Sequence, residues 1–143
     1  MFLDLSKKIF PSDIGDIENK LGFKLPKKLV QHYFNFNGGT TDKPLFYSEI
    51  SDVEIYISAF YPIKYFNTND EQTLEDTYLS YRNNEIFPSN FLPFAFDWGG
   101  NQICINLDND NIVVIWMDTG EFTNDCIEVL SNDFTEFIEK LYA

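Results

Sequence analysis

Apolar residues recur at helical spacing in two neighbouring segments near the N-terminus. The first helix is predicted to start near Ser12 and to stop at Gly22, since glycine tolerates the left-handed backbone of a helix terminus. Its apolar stripe comprises Ile14, Ile17 and Leu21. Pro26 suits the first turn of a second helix, which ends at Asn37-Gly38-Gly39. The stripe of this second helix comprises Leu29, Val30, Tyr33 and Phe34. Because the connector is short, we expect an N-terminal helical hairpin.

The middle of the chain carries one clear strand pattern. Residues 53–58 alternate in polarity, as a strand with one buried face requires, with Val53, Ile55 and Ile57 on one side and Glu54, Tyr56 and Ser58 on the other. Residues 45–47 predict a shorter strand before it. Asp70 is predicted to cap a helix that continues to about Arg82. The side chains on one face of that helix are Leu74, Tyr78 and Tyr81.

Strand patterns dominate from residue 91 onward. Residues 91–96, 102–107, 112–117 and 127–130 are predicted strands. Asp108-Asn109-Asp110-Asn111 is typical of a hairpin turn, because Asp and Asn tolerate left-handed backbone. Ser131 or Asp133 is predicted to cap a closing helix that buries Phe134, Phe137, Ile138 and Leu141. The order predicts one α+β domain over residues 1–143, with a mostly antiparallel meander packed against helices.

The composition supports a hydrophobic core without a metal or a disulfide. Hydrophobic residues make up 44% of the chain and aromatic residues 17%, and aromatic side chains bury large areas. Cys104 and Cys126 lie in apolar stretches without CxxC spacing, and we expect two buried free thiols. The first residues lack the pattern of a signal peptide, and no stretch has the length of a membrane helix. We therefore expect a cytoplasmic protein without a membrane partner.

Charge is distributed unevenly along the chain. The formal net charge is −13, yet residues 1–64 carry eight basic and eight acidic residues. Residues 65–143 carry fifteen acidic residues against Arg82 and Lys140. Such a surface repels nucleic acid and attracts a basic partner. Acidity that merely keeps the protein soluble and monomeric is the competing interpretation.

The residue inventory offers little for catalysis or for metal binding. His32 is the sole histidine, lies inside a predicted helix and has no nucleophile at a known spacing. Asp108 and Asp110 resemble the start of a calcium loop, but the sixth position is Val113 and the twelfth is Thr119. Carboxylates are plentiful, although none is singled out as a catalytic pair. We expect a protein that is not an enzyme and that needs no cofactor.

Two local motifs combine recurring Gly and Pro positions with apolar residues. The first is Ile17-Glu18-x-x-Leu21-Gly22-x-x-Leu25-Pro26, followed by an aromatic-rich helix and Asn37-Gly38-Gly39. The second is Leu92-Pro93-Phe94-Ala95-x-Asp97-x-Gly99-Gly100-Asn101, followed by Ile103-Cys104-Ile105. In this order and at this spacing, they resemble the SUKH superfamily, whose domain is shared by bacterial immunity proteins and fungal Smi/Knr cell-wall regulators. The resemblance implies an α+β fold without catalytic residues, in which the recurring Gly and Pro positions have an architectural role.

The resemblance also implies a binding function. Bacterial members are typically immunity proteins that block toxins, and many such toxins are basic nucleases. We expect a protein partner, most simply a basic toxin domain, bound by a monomer or a weak homodimer. The predicted contact residues are acidic or aromatic: Asp97, Trp98, Asp108, Asp110, Asp118 and Glu121. Trp116 is a further candidate, but it fits the core of the sheet equally well.

Two other functions remain open at this point. The first is a regulatory scaffold like the fungal members, acting in cell-wall or glucan synthesis and signalling. Those proteins usually carry long disordered extensions, which this sequence lacks. The second is an uncharacterised enzyme or a small-ligand binder, which would show a deep pocket with converging polar groups.

Overall fold

Helices and strands follow one another in the order of an α+β fold. The computed structural model describes residues 1–66, 72–118 and 120–143. Its helices are α1 (Pro11–Leu21), α2 (Lys27–Asn35), α3 (Leu74–Asn83) and α4 (Phe134–Glu139). Its strands are β1 (Phe2–Leu3), β2 (Thr40–Thr41), β3 (Leu45–Ser48), β4 (Val53–Phe60), β5 (Phe91–Asp97), β6 (Gln102–Asn106), β7 (Ile112–Ile115) and β8 (Ile127–Ser131).

The sheet is an antiparallel meander in which β3 to β8 lie in sequence order. It curls until its two outer strands meet. The Ser48 hydroxyl donates to the carbonyls of Val129 and Leu130 at 3.2 and 2.9 Å, and the Ser51 hydroxyl donates to Val129 at 2.6 Å. These side-chain bonds link β3 to β8 and nearly close the sheet into a barrel. The predicted fold class is confirmed, and β1 and β2 add a small ribbon that the sequence did not reveal.

The central strands are buried on both faces. One face packs on the helices and contributes Ile103, Ile105 and Val114 to the main core. The opposite face carries a second apolar cluster, composed of Phe87, Phe91, Cys104, Val113, Ile115 and Cys126. Burial on two sides explains why β6 and β7 are continuously apolar instead of alternating. Both cysteines are buried free thiols, as expected.

The predicted N-terminal helical hairpin is supported only in part, because each of the two helices has its main helix contact elsewhere. α1 lies against α3, where Lys20 Nζ is 2.8 Å from a carboxylate oxygen of Asp76. α2 lies against α4, where the rings of His32 and Phe134 are 5.3 Å apart. The short connector fixes only the distance between the helix ends. The apolar stripes of α1 and α2 pack against elements that are distant in the sequence, because this packing lets both helices cover the sheet.

The helix termini follow capping rules, with one shift from the sequence prediction. Gly22 ends α1 with φ +87°, in the left-handed region. Asp133 caps α4, since its carboxylate accepts the backbone N–H of Glu136 at 2.8 Å. α3 is capped by Thr73, whose hydroxyl oxygen accepts from the backbone N–H of Asp76 at 3.2 Å. The helix therefore starts later than predicted, and Asp70 lies outside the described residues.

The Asn37-Gly38-Gly39 segment is a structural joint. The buried Asn37 amide donates to the carbonyls of Lys7 and Ile63 at 2.8 and 3.0 Å, and its oxygen accepts from Ile63 N–H at 2.7 Å. Gly39 has φ +82°, and a Cβ there would lie 2.1 Å from the carbonyl oxygen of Leu3. These contacts give the motif an architectural role rather than a binding role.

Candidate functional site

The turn between β5 and β6 presents a tryptophan to solvent. The Asp97 carboxylate accepts the backbone N–H groups of Gly99 and Asn101, both at 2.9 Å, and the side-chain amide of Asn101 at 3.0 Å. Its oxygens are therefore engaged in shaping the turn. Trp98, at the apex, is 78% exposed. A large apolar side chain held open on a braced turn is a candidate contact for another macromolecule.

The turn is anchored to the rest of the sheet at its return. The Asn101 side-chain oxygen accepts the backbone N–H of Met117 at 2.8 Å, which ties the turn to the segment after β7. The Gln102 side chain accepts from the Tyr61 hydroxyl at 2.7 Å and donates to Gly100 at 3.1 Å. Trp98 therefore stands on a backbone that is fixed from both sides.

Three tyrosines extend this exposed surface across the outer side of β3 and β4. The rings of Trp98 and Tyr56 meet edge to face at a centroid distance of 5.7 Å. Tyr56 and Tyr47 are each 44% exposed, and Tyr142 is 38% exposed. Tyr142 pairs with Leu45, which in turn pairs with Tyr56. We call Tyr47, Tyr56, Trp98 and Tyr142 the aromatic face.

Carboxylates accompany the rings of the aromatic face. The Tyr47 hydroxyl donates to Asp52 at 2.6 Å, and the Tyr142 hydroxyl donates to Glu54. Each hydrogen bond raises the pKa of its tyrosine, because the proton is held by a negatively charged acceptor. These tyrosines remain neutral donors at physiological pH, and each orients one oxygen of its carboxylate partner.

The structure does not bring the six predicted contact residues together. Asp97, Trp98 and Asp118 lie toward one end of the sheet, because the Asn101–Met117 hydrogen bond joins their loops. Asp108 and Asp110 are exposed in the turn at the other end of β6. The five residues of β6 separate the two turns, which corresponds to about 17 Å at about 3.3 Å per residue. The predicted contact residues therefore form separate groups on the surface instead of one cluster.

Glu121 lines a different feature. An open groove of about 730 Å³ lies between residues 82–89 and 120–122, with Ile86, Phe87 and Phe122 among its walls. Arg82 and Glu85 contribute the other charged side chains of the lining. Trp116, the second candidate tryptophan, is partly buried against the main core. Trp116 is therefore mainly a packing residue, whereas Trp98 is not.

The titratable groups inside the protein serve the packing. His32 is surrounded by aromatic rings, and burial lowers its pKa to about 4. The buried Glu75 carboxylate accepts the backbone N–H of Lys64, and desolvation raises its pKa. In the described ranges, no three His, Cys, Asp or Glu side chains cluster as metal ligands would. Nor does any described helix combine the length and the apolar character needed to cross a membrane.

Most of the aromatic face has no signal in the amino-acid sequence. Tyr56 is the exception, because the alternation over residues 53–58 places it on the side opposite Ile55. Tyr47 and Tyr142 gave no comparable signal. Their exposure depends on the pairing of β3 with β4 and on the return of the C-terminus to Leu45.

Comparison with known proteins agrees with this architecture. A profile of the SMI1/KNR4 family (SUKH-1) matches residues 9–140, nearly the whole chain. The chain is also similar to the SPbeta prophage-derived uncharacterized protein YokK of Bacillus subtilis (strain 168), with 32% identity over 73 residues. That match covers 51% of this chain and 36% of the relative, so it spans about a third of the relative's length. The family match includes both motifs and every helix, and the chain therefore belongs to the SMI1/KNR4 (SUKH-1) family.

Proposed function

We propose that this domain is a non-enzymatic immunity protein that neutralises a basic toxin domain by direct binding in the cytoplasm. The observation that carries the proposal is the negative charge of the C-terminal part of this chain. Residues 83–139 contain eleven acidic residues and no Lys or Arg. In a SUKH domain, such a surface is complementary to a nuclease, which must be basic to hold phosphates.

The distribution of basic residues among the helices and strands supports the same proposal. Six of the ten basic residues lie in residues 7–28, which include α1 and the start of α2. The strands and turns of the sheet lie mostly in segments without cations. The acidic residues at the start of α4 are partly neutralised, since Lys28 pairs with Asp133 and Lys140 with Glu136. The acidic residues of the strands and turns lie in segments without Lys or Arg. A field of one sign speeds the encounter with an oppositely charged partner and makes it sensitive to salt.

The prophage origin in the relative's description favours the bacterial role over the fungal one. The fungal-type scaffold in wall or glucan synthesis is therefore the outcome that the experiment must separate. An immunity protein needs one tight partner, and a monomer suffices for blocking it. A scaffold needs several partners of ordinary charge.

The test begins with a pull-down by the tagged chain from its source organism. The basic domain that is recovered is then co-expressed with the chain in a bacterial host whose growth that domain arrests. We expect growth to be restored and a stoichiometric complex to be isolated at about 50 mM salt that weakens at about 500 mM salt, since salt shortens the range of charge interactions. A matched control replaces the chain with an unrelated acidic protein of similar size. No protection, or capture of several wall-synthesis proteins without salt dependence, would contradict the proposal.

A further inference from the structure

We infer that the aromatic face, together with Asp52 and Glu54, binds arginine side chains of a basic protein partner. The inference rests on the proposed function in one respect, namely that the physiological partner is a basic protein. It goes further in naming the surface and the chemical group that the surface recognises. The observations that carry it are the exposed rings, the carboxylates beside them and the excess of acidic over basic residues in the strands that hold them.

The four rings form a preorganised surface. Tyr47 and Tyr56 belong to paired strands, and Trp98 stands on a turn that Asp97 and Asn101 brace. Tyr142 is held by backbone pairing with Leu45. Aromatic side chains on fixed backbone lose little conformational freedom when they are covered, which makes them efficient contacts.

The charge around the face selects a cationic partner. Residues 44–63, which include β3 and β4, contain Glu49, Asp52 and Glu54 and no Lys or Arg. The lysines near the face in sequence are Lys43 and Lys140, and Lys140 pairs with Glu136 at 3.2 Å. Trp98 lies in the cation-free stretch 83–139. A second copy of this chain is a poor occupant, because two such faces would bring like charges together. A basic protein is favoured as the partner, because its positive charge attracts the carboxylates of the aromatic face.

The pairing of ring and carboxylate favours arginine over lysine. Tyr47 and Tyr142 each donate a hydrogen bond to a carboxylate, which fixes that carboxylate beside an aromatic surface. A guanidinium group can stack on a ring while its N–H groups reach the neighbouring carboxylate oxygens. An ammonium group makes the charge contact but lacks the flat surface and the forked donors.

The experiment uses an octa-arginine peptide and an octa-lysine peptide, followed by amide and indole NMR shifts of the full chain. We expect shifts centred on Tyr47, Tyr56 and the Trp98 indole N–H, and binding of the arginine peptide several-fold tighter than the lysine peptide. Two double variants give matched controls with the same change of charge. Asp52→Asn with Glu54→Gln should weaken binding about five-fold, whereas Asp108→Asn with Asp110→Asn should change it less than about two-fold.

The charge variants retain the oxygen acceptors of the tyrosine hydroxyls, and Trp98→Ala removes the most exposed ring. We expect Trp98→Ala to weaken arginine binding while far-UV circular dichroism stays unchanged. Equal losses in the two double variants would overturn the inference, as would equal affinity for both peptides. Self-association that Trp98→Ala abolishes would also overturn it.

The same variants distinguish this inference from the proposed function. If Trp98→Ala with Tyr56→Ala folds and still protects cells fully from the toxin, the proposed function stands and the surface assignment fails. If the arginine peptide maps to the aromatic face but the chain protects cells against no basic domain recovered with it, the surface assignment stands and the proposed function fails.

Discussion

Replacing His32 by leucine is expected to remove a pH-dependent part of the protein's stability. The imidazole packs against Phe2, Phe36 and Phe134, at ring centroid distances of 4.8, 5.3 and 5.3 Å. This environment disfavours the charged imidazolium, and burial lowers the pKa of His32 from 6.5 to about 4. The folded protein therefore holds a neutral histidine at pH values where the unfolded chain has a charged one.

The direction of the effect follows from proton binding in the two states. Between pH 6.5 and about 4, the unfolded chain binds a proton at His32 that the folded protein does not. The free energy of unfolding therefore decreases as the pH falls through this range, and the contribution is fully present above pH 6.5. A pKa difference of this size corresponds to about 3 kcal/mol, since one pKa unit is worth about 1.4 kcal/mol. Water at the partly exposed ring makes this an upper value.

The assay is urea unfolding at about pH 7, 6, 5 and 4.5, on the unmodified protein and on His32→Leu. As the pH falls from about 7 to about 4.5, the unmodified protein should lose about 2 kcal/mol more free energy of unfolding than His32→Leu. Other groups cancel in that difference, including Glu75, whose raised pKa gives a slope of the opposite sign. Gln31→Leu, at the exposed neighbouring position, should follow the unmodified protein.

Two results would refute the reasoning. The first is a difference between the two proteins that stays constant with pH within about 0.5 kcal/mol, well below the shift expected from linkage. The second is an NMR titration in which the His32 ring titrates near pH 6.5 in the folded state. Either result would mean that water reaches the ring freely and that the aromatic contacts do not desolvate it.

Three further expectations concern the core and the joint between α2 and β2. Asn37→Ala should lower the free energy of unfolding by about 3 kcal/mol, because it leaves the buried N–H and carbonyl of Ile63 without their partner; a loss below about 1 kcal/mol in urea titration would contradict this. Gly39→Ala should lower the thermal midpoint more than Gly22→Ala. Both glycines have positive φ, but only at Gly39 would the new Cβ collide with backbone atoms. Equal shifts of the thermal midpoint would contradict this, because they would show that the positive φ alone sets the loss of stability. The Cys104 thiol, whose pKa burial raises, should react with a thiol reagent only after unfolding, as absorbance would report; rapid labelling of the native protein would contradict its burial.

Most helix termini and the hairpin turn at residues 108–111 were predictable because the signals that set them are local, whereas α3 begins later than predicted. Gly22 ends α1 and Asp133 caps α4 through contacts within a few residues of themselves. The turn at residues 108–111 follows from side chains that support left-handed backbone, and Asp110 has φ +64°. Asn37 and Gly39 also proved architectural, although the atoms they meet belong to residues distant in the sequence.

Long-range choices were not predictable in the same way. The sequence favoured a helical hairpin, yet α1 packs on α3 and α2 on α4. An amphipathic stripe indicates that one side of a helix is buried, but it does not indicate which element packs against that side. The candidate site shows the same limit. Trp98 and the acidic turns were identifiable one at a time, whereas their separation to opposite ends of β6 depends on strand direction.

The sequence by itself determined the α+β class, the antiparallel meander, the family resemblance and the acidic character of residues 65–143, because periodicity, turn chemistry and charge are properties of neighbouring residues. Only the tertiary structure decided that Tyr47, Tyr56, Trp98 and Tyr142 share one exposed face. Those four residues come from β3, β4, the β5–β6 turn and the C-terminus. Strand pairing and the curl of the sheet bring such distant positions together, and burying the core then leaves their rings outside.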